Sequence, residues 1–98
     1  MTLTGKQKRH LRGLAMTRRP VFQIGKDGIT PALVQSLNDY LVKNELMKVS
    51  ILDTCPLTLD EAAAEMTGLP AALVQIIGKN IVLYRRNPQL TNGIELPQ

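Results

Sequence analysis

The chain has 98 residues, 44% hydrophobic and 20% charged, which is enough for one compact core and too little for two. Its formal charge of +4 and pI near 9.6 favour an acidic partner. No run approaches the ~20 consecutive apolar residues of a membrane helix, no secretory apolar region opens the sequence, and the one cysteine, Cys55, excludes an internal disulfide, so a cytoplasmic protein with no membrane partner is expected.

Half of the twelve basic residues (Lys6, Lys8, Arg9, Arg12, Arg18 and Arg19) lie in the first nineteen positions, where there is no acid, whereas six of the eight acids lie between Asp39 and Glu65. Such polarity favours oriented docking on a polyanion. Thr4-Gly5-Lys6-Gln7 has the form of a capping box and predicts a helix to about Met16, with Leu11, Leu14 and Ala15 as its buried stripe. Lys8, Arg9 and Arg12, with His10 among them, fall toward solvent, either as cations offered to a partner or as a merely solvated face. Gly13 inside the helix costs about 1 kcal/mol relative to Ala, which implies close approach to a neighbouring element.

Pro20, following Arg18 and Arg19, blocks further helix, and Val21 to Ile24 read as a strand. Gly25-Lys26-Asp27-Gly28 is then a loop, Thr30 an N-cap, Pro31 the first helical residue, and Ile29 with Val34 a hydrophobic staple. Two readings of the loop stand side by side. One is a strand-to-helix turn that needs positive φ. The other is an anion clamp in which backbone N–H groups, the positive helix end and Lys26 meet a phosphate, with the Asp27 carboxylate opposing it unless turned toward the helix dipole.

The second helix is predicted from Pro31 to about Lys43, with Leu33, Val34, Leu37 and Leu41 at helical spacing, Tyr40 at their border and Asn44 as a left-handed cap. Leu46 to Leu52 alternates as a half-buried strand, Met47, Val49 and Ile51 on one face and Lys48 and Ser50 on the other. Strand, helix and strand in that order imply parallel neighbours joined by a right-handed crossover. Thr58-Leu59-Asp60-Glu61 is a second capping box, opening a short helix with Leu59, Ala62, Ala63 and Met66 on one face and Gly68 at its end. Ala72 to Ile77 and Ile81 to Arg85, separated by Gly78-Lys79-Asn80, form an antiparallel hairpin with Lys79 in its turn and Arg85 and Arg86 closing the last strand. The tail from Asn87 is mostly loop, with Ile94 to Leu96 apolar enough for a short edge segment. The expected fold is α/β, one small domain over residues 1–98 (core 3–86, tail 87–98), in the order helix, strand, helix, strand, helix, strand, strand: a mixed four-stranded sheet with helices packed on it.

Nucleophilic catalysis needs an activated nucleophile and a base, but His10 lies in a basic helix and Cys55 forty-five positions further on, in no catalytic motif. There is no zinc-ligand spacing, no Walker loop and no Gly-x-Gly-x-x-Gly, and Asp60 with Glu61 is accounted for by helix capping. No enzyme, catalytic residue, cofactor, metal or small-molecule substrate is expected. With only Phe22, Tyr40 and Tyr84 as aromatics, base-stacking sheets are disfavoured and recognition of backbone and shape is favoured, as when KH domains hold nucleotides with a Gly-x-x-Gly loop.

The segment Leu3-Thr4-Gly5-Lys6-Gln7-Lys8-Arg9, then Leu11-Arg12-Gly13-Leu14-Ala15, Pro20 through the loop to Thr30, Glu45-Leu46-Met47-Lys48-Val49 and Val74 through Gly78-Lys79-Asn80 to Arg85 carry a resemblance. From Leu3 to Arg85 the chain resembles the CRM domain (chloroplast RNA splicing and ribosome maturation) in its bacterial stand-alone form, the YhbY family. The resemblance implies a fold similar to the C-terminal domain of translation initiation factor three, RNA binding, and association with precursors of the large ribosomal subunit during assembly. By position, Gly25, Lys26, Asp27 and Gly28 match the family loop, the basic first-helix residues its cationic surface, and Lys79 and Arg85 its last hairpin. Asn44 stands where many members have a histidine before the Glu-Leu pair.

The expected RNA-binding residues are therefore Gly25, Lys26, Asp27, Gly28, Lys6, Lys8, Arg9, Arg12, Arg18, Arg19, Lys79, Arg85 and Arg86, in a monomer whose partner is ribosomal RNA. The alternative is a protein-interaction adaptor that docks on a ribosomal protein or another acidic partner, its basic face only steering association.

Overall fold

A computed structural model of the protein describes residues 3–66, 68–69, 71–89 and 93–97; of the predicted tail, residues 90–92 and 98 lie outside the described residues. The elements are α1 (Gly5–Met16), β1 (Phe22–Ile24), α2 (Pro31–Asn44), β2 (Leu46–Ile51), α3 (Leu59–Met66), β3 (Ala72–Ile77) and β4 (Asn80–Tyr84), in the expected order. All three helix starts are set by the local chemistry read from the sequence. In α1 the Thr4 hydroxyl accepts the Gln7 N–H at 3.1 Å and the Gln7 side chain accepts that of Thr4 at 3.0 Å. Thr58 and Glu61 make the same reciprocal pair before α3, at 3.1 and 3.0 Å. The N–H of Thr58, and after it the Thr58 hydroxyl, hold the exposed Glu61 carboxyl below its ordinary range. At α2 the Thr30 hydroxyl accepts the Leu33 N–H at 3.1 Å, with Pro31 in the first turn.

The strands form one mixed sheet in the order β1-β2-β4-β3. β1 runs parallel to β2, from Phe22 opposite Val49 to Ile24 opposite Ile51, as a strand-helix-strand unit requires. β4 lies between β2 and β3 and is antiparallel to both. Asn80 pairs with Ile77, so the hairpin turn is Gly78-Lys79, with Gly78 at φ +58°.

Both faces of this sheet are covered. On one, Ile24, Met47, Val49, Ile51, Ile81 and Leu83 pack with Leu37 and Leu41 of α2 and Ala62, Ala63 and Met66 of α3. On the other, Leu46, Val74, Val82 and Tyr84 pack with Leu3, Leu11 and Ala15, and Ile94 and Leu96 of the tail join them. β4 is thus apolar at every position from Ile81 to Tyr84, the pattern of a strand buried on both sides.

Three local expectations change. An added Cβ at Gly13 would meet nothing within 4 Å, so this glycine marks no close approach and lies on the exposed side of α1. Asn44 is the last residue of α2, and the positive φ falls one residue later, on Glu45 at +62°. Ile94 to Leu96 adds no edge strand; it packs as irregular chain against the second cluster.

That tail is held by Glu45, which is only 2% exposed. Its Oε2 accepts the Asn87 N–H at 2.8 Å and its Oε1 that of Ile94 at 2.7 Å, while its carbonyl accepts the Arg85 N–H at 2.8 Å. One side chain therefore closes the helix-strand junction and pins two points of the C-terminal segment. Replacing Glu45 by Ala leaves both N–H groups without their acceptor, and a loss of about 3 kcal/mol in urea unfolding is expected, with Glu45→Gln recovering part of it.

Tyr84 is fully buried, and its hydroxyl has no hydrogen-bond partner among the described residues. Burial first, and then the Glu45 carboxylate, push its phenol above the ordinary value near 10. The folded protein thus favours the neutral ring, a contribution intact below the unfolded value near 10 and lost as pH rises through the folded one. Urea titrations from neutral to strongly alkaline pH should show a steeper alkaline fall for the wild type than for Tyr84→Phe. At pH 7 the two should differ by less than about 1 kcal/mol, since no hydrogen bond is removed.

Candidate nucleic-acid interface

β1 is a three-residue edge strand held by β2 alone, and the segment that leaves its C-terminal end is Gly25-Lys26-Asp27-Gly28. The Gly28 N–H donates to the Gly25 carbonyl at 3.0 Å, closing a tight turn with Lys26 and Asp27 exposed at its tip. Gly28 has φ +65°, which L side chains rarely adopt; Gly25 does not have positive φ. A Cβ on Gly25 would meet Thr54 Oγ1 at 3.4 Å and Leu52 Cδ1 at 3.6 Å, and one on Gly28 would meet Pro56 Cγ at 3.6 Å. Both glycines therefore face the connection between β2 and α3. That connection is itself tied to β1, since the Leu52 N–H donates to the Ile24 carbonyl at 2.9 Å.

The turn leads straight into the positive end of α2. Pro31 has no N–H and that of Leu33 is taken by Thr30, which leaves the N–H of Ala32 for an anion. Gln23, Gly25, Lys26, Asp27, Gly28 and Thr30 line an open groove of about 360 Å³ here. One cation and one carboxylate thus share the groove.

The other predicted residues distribute around this end as follows. The β3-β4 turn reaches the same end of the sheet, for the Ile51 N–H donates to the Lys79 carbonyl at 2.8 Å, and the Lys79 ammonium is paired with Asp53. Both partners are largely exposed, so this pair is weak and salt-sensitive. Lys6, Lys8, Arg9 and Arg12 are exposed along α1, on the sheet face opposite α2 and α3. Arg18 and Arg19 are exposed where the chain passes from α1 to β1. Arg85 and Arg86 lie at the far end of β4, separated from the loop by the length of the six-residue strand β2, roughly 20 Å. Arg85 is half-buried with Nη1 donating to Asn38 Oδ1 at 2.9 Å; Arg86 is exposed.

One contributor escaped the sequence. Lys48, on the polar side of β2, donates through Nζ to the Ala15 and Arg18 carbonyls at 3.4 and 3.3 Å, covering the C-terminal end of α1. The alternation in β2 assigns Lys48 a face but says nothing of what lies across it.

A profile of the CRS1/YhbY (CRM) domain matches residues 3–85. The chain belongs to the CRM family. It is 42% identical over 96 residues to "Probable RNA-binding protein YqeI" of Bacillus subtilis, spanning 97% of this chain and 99% of that one. It is 36% identical over 101 residues to a Haemophilus influenzae protein named "RNA-binding protein", spanning 99% and 97%. The solution structure of the hypothetical protein SAV1595 from Staphylococcus aureus, 41% identical, superimposes with a TM-score of 0.76 over 98% of this chain and 100% of that one.

The two glycines of this CRM loop differ in what they demand. Gly28→Ala places a Cβ at φ +65° and should lower stability by about 1 kcal/mol or more. Gly25→Ala, at an ordinary φ and with its methyl in contact with Thr54, should cost clearly less. Urea midpoints of the two variants check the order.

Proposed function

We propose that this protein binds RNA and performs no catalysis, and that its RNA belongs to precursors of the large ribosomal subunit, which it attends during assembly in the cytoplasm. The observation that carries the reading is a bare Gly-x-x-Gly turn with an exposed Lys26 at a helix N-terminus, in a chain whose CRM relatives are named RNA-binding proteins. With the Gly28 N–H taken by the Gly25 carbonyl, the N–H groups of Lys26 and Asp27 and the Lys26 ammonium hold phosphates, with the Asp27 carboxylate limiting how many the groove accepts. Lys6, Lys8, Arg9, Arg12, Arg18 and Arg19 form a second cationic surface along α1, on the other face of the sheet, and its exit. Lys79 joins when its exposed pair with Asp53 opens, and Arg85 and Arg86 border the far end. The whole chain works as one RNA-binding domain and as a monomer.

Affinity for a labelled ribosomal RNA fragment should fall steeply with salt, with a log-log slope of about −0.7 per single-strand phosphate neutralised. Lys26→Ala and Arg12→Ala should each weaken binding several-fold and flatten that slope; unchanged affinity and slope would reject the surface. Co-sedimentation with large-subunit precursors should disappear after ribonuclease treatment. Persistence through capture by an isolated ribosomal protein would favour the adaptor instead.

A further inference from the structure

At the N-terminal end of β1, opposite the Gly-x-x-Gly turn, the exits of α1 and α2 and the start of β2 enclose a cleft of about 520 Å³. Arg18, Arg19, Val21, Tyr40, Asn44 and Lys48 line it, and among the described residues no carboxylate does. Its volume lies within the ~300–1,000 Å³ common for small-ligand sites. The lining combines the cations Arg18, Arg19 and Lys48 with two apolar groups, Val21, which is 44% exposed, and Tyr40, whose ring is set edge-on against Phe22.

Two helices end here, and unmodified they would present negative poles to an anion. Each end is instead covered by a donor. Lys48 Nζ donates to the Ala15 carbonyl in the last turn of α1 and to that of Arg18 just beyond it, and the Thr17 hydroxyl donates to that of Leu14 at 2.8 Å. On α2 the Asn44 amide donates to the Tyr40 carbonyl at 3.1 Å, leaving its Oδ1 without a partner among the described residues. With both poles covered, the exposed guanidinium groups of Arg18 and Arg19 set the sign of the cleft.

We propose that this cleft receives one unstacked nucleotide of a single-stranded RNA, its phosphate on Arg18 and Arg19, its base against Val21 and Tyr40, and a base edge within reach of the Asn44 amide. The inference rests on the RNA-binding reading above and adds a base-admitting site to it. A duplex offers phosphates but no free base face, so the cleft selects for unpaired RNA. Only β1 separates it from the Gly-x-x-Gly groove, a rise of roughly 10 Å for three residues, so one strand laid along this sheet edge occupies both.

The test measures fluorescence anisotropy of two probes, a single-stranded RNA dodecamer and its blunt duplex, with the full-length protein. Val21→Glu puts a carboxylate into the cleft at an already exposed position; Ser36→Glu, on the exposed side of α2, makes the same charge change elsewhere. Relative to Ser36→Glu, Val21→Glu should weaken the single strand about tenfold, the size of one lost base contact, and the duplex less than twofold. Asn44→Ala, an exposed change that guards against a misfolded Val21 variant, should weaken the single strand selectively by a smaller factor. If the single strand binds and Lys26→Ala weakens it while Val21→Glu matches Ser36→Glu and Asn44→Ala matches wild type, the cleft is rejected and the loop retained. If wild type binds neither probe, the RNA-binding reading and the cleft both fall.

Discussion

The register of β1 on β2 is the constraint on which the candidate interface depends. The strand has three residues and one neighbour, yet the Gly-x-x-Gly turn hangs from one end of it and the arginine-bearing exit of α1 from the other. Hydrogen bonds bracket it, from the Val21 N–H to the Lys48 carbonyl at 2.9 Å and from the Leu52 N–H to the Ile24 carbonyl at 2.9 Å. Side chains fix the register more firmly than these bonds do. Ile24 is 1% exposed in the first cluster, Phe22 meets Tyr40 edge to face with ring centroids 5.8 Å apart, and Gln23 between them is exposed. A slip of one residue would expose Ile24 and bury Gln23, so the pattern holds the turn in place.

The rest of the sheet supplies the rigidity that so short an edge cannot. β2 and β4 are covered from both sides, by α2 and α3 on one face and by α1 with the tail on the other. The second layer is the thinner one, for α1 contributes few buried side chains and Ile94 and Leu96 complete the cluster. Glu45 is what keeps them there. A buried carboxylate is costly to desolvate unless its oxygens are hydrogen-bonded, and here two backbone N–H groups supply the bonds. The arrangement also places the one positive φ among the described non-glycine residues at the point where α2 must turn directly into β2.

What was legible in the sequence was local. Both capping boxes, the Thr30-Pro31 helix start and the hairpin rest on residues a few positions apart, the parallel pairing of β1 and β2 on the order of their elements, and the elements formed with bounds within one or two residues of those expected. Illegible features rest on partners far along the chain. Nothing near Glu45 announces that Asn87 and Ile94 will donate to it, and nothing near Lys48 announces the end of α1. Strand order is of the same kind, since the alternation in each strand says which face is apolar and not which neighbour it will have. At the candidate site the sequence located the loop but not the direction of its missing side chains. The glycines open toward Leu52, Thr54 and Pro56, so their first physical reason is the packing of two connections at one end of the sheet.

That packing bears on how an anion would be gripped. The helix end behind the turn has Ala32 as its one available N–H in the first three positions, and Asp27 sits beside Lys26, so the groove by itself is close to neutral. Attraction over distance must then come from the acid-free stretch through α1 and its exit, which faces a different side of the sheet. Such an arrangement divides the work. On the proposed reading, exposed cations on α1 would orient and retain a polyanion through many weak, salt-sensitive contacts, while the turn and the edge of β1 would offer a small surface whose shape, rather than charge, decides what fits. If the proposed RNA binding holds, a cationic helix paired with a nearly neutral groove would discriminate among RNA conformations, because the term that rewards any phosphate and the term that rewards a particular backbone path reside in separate elements.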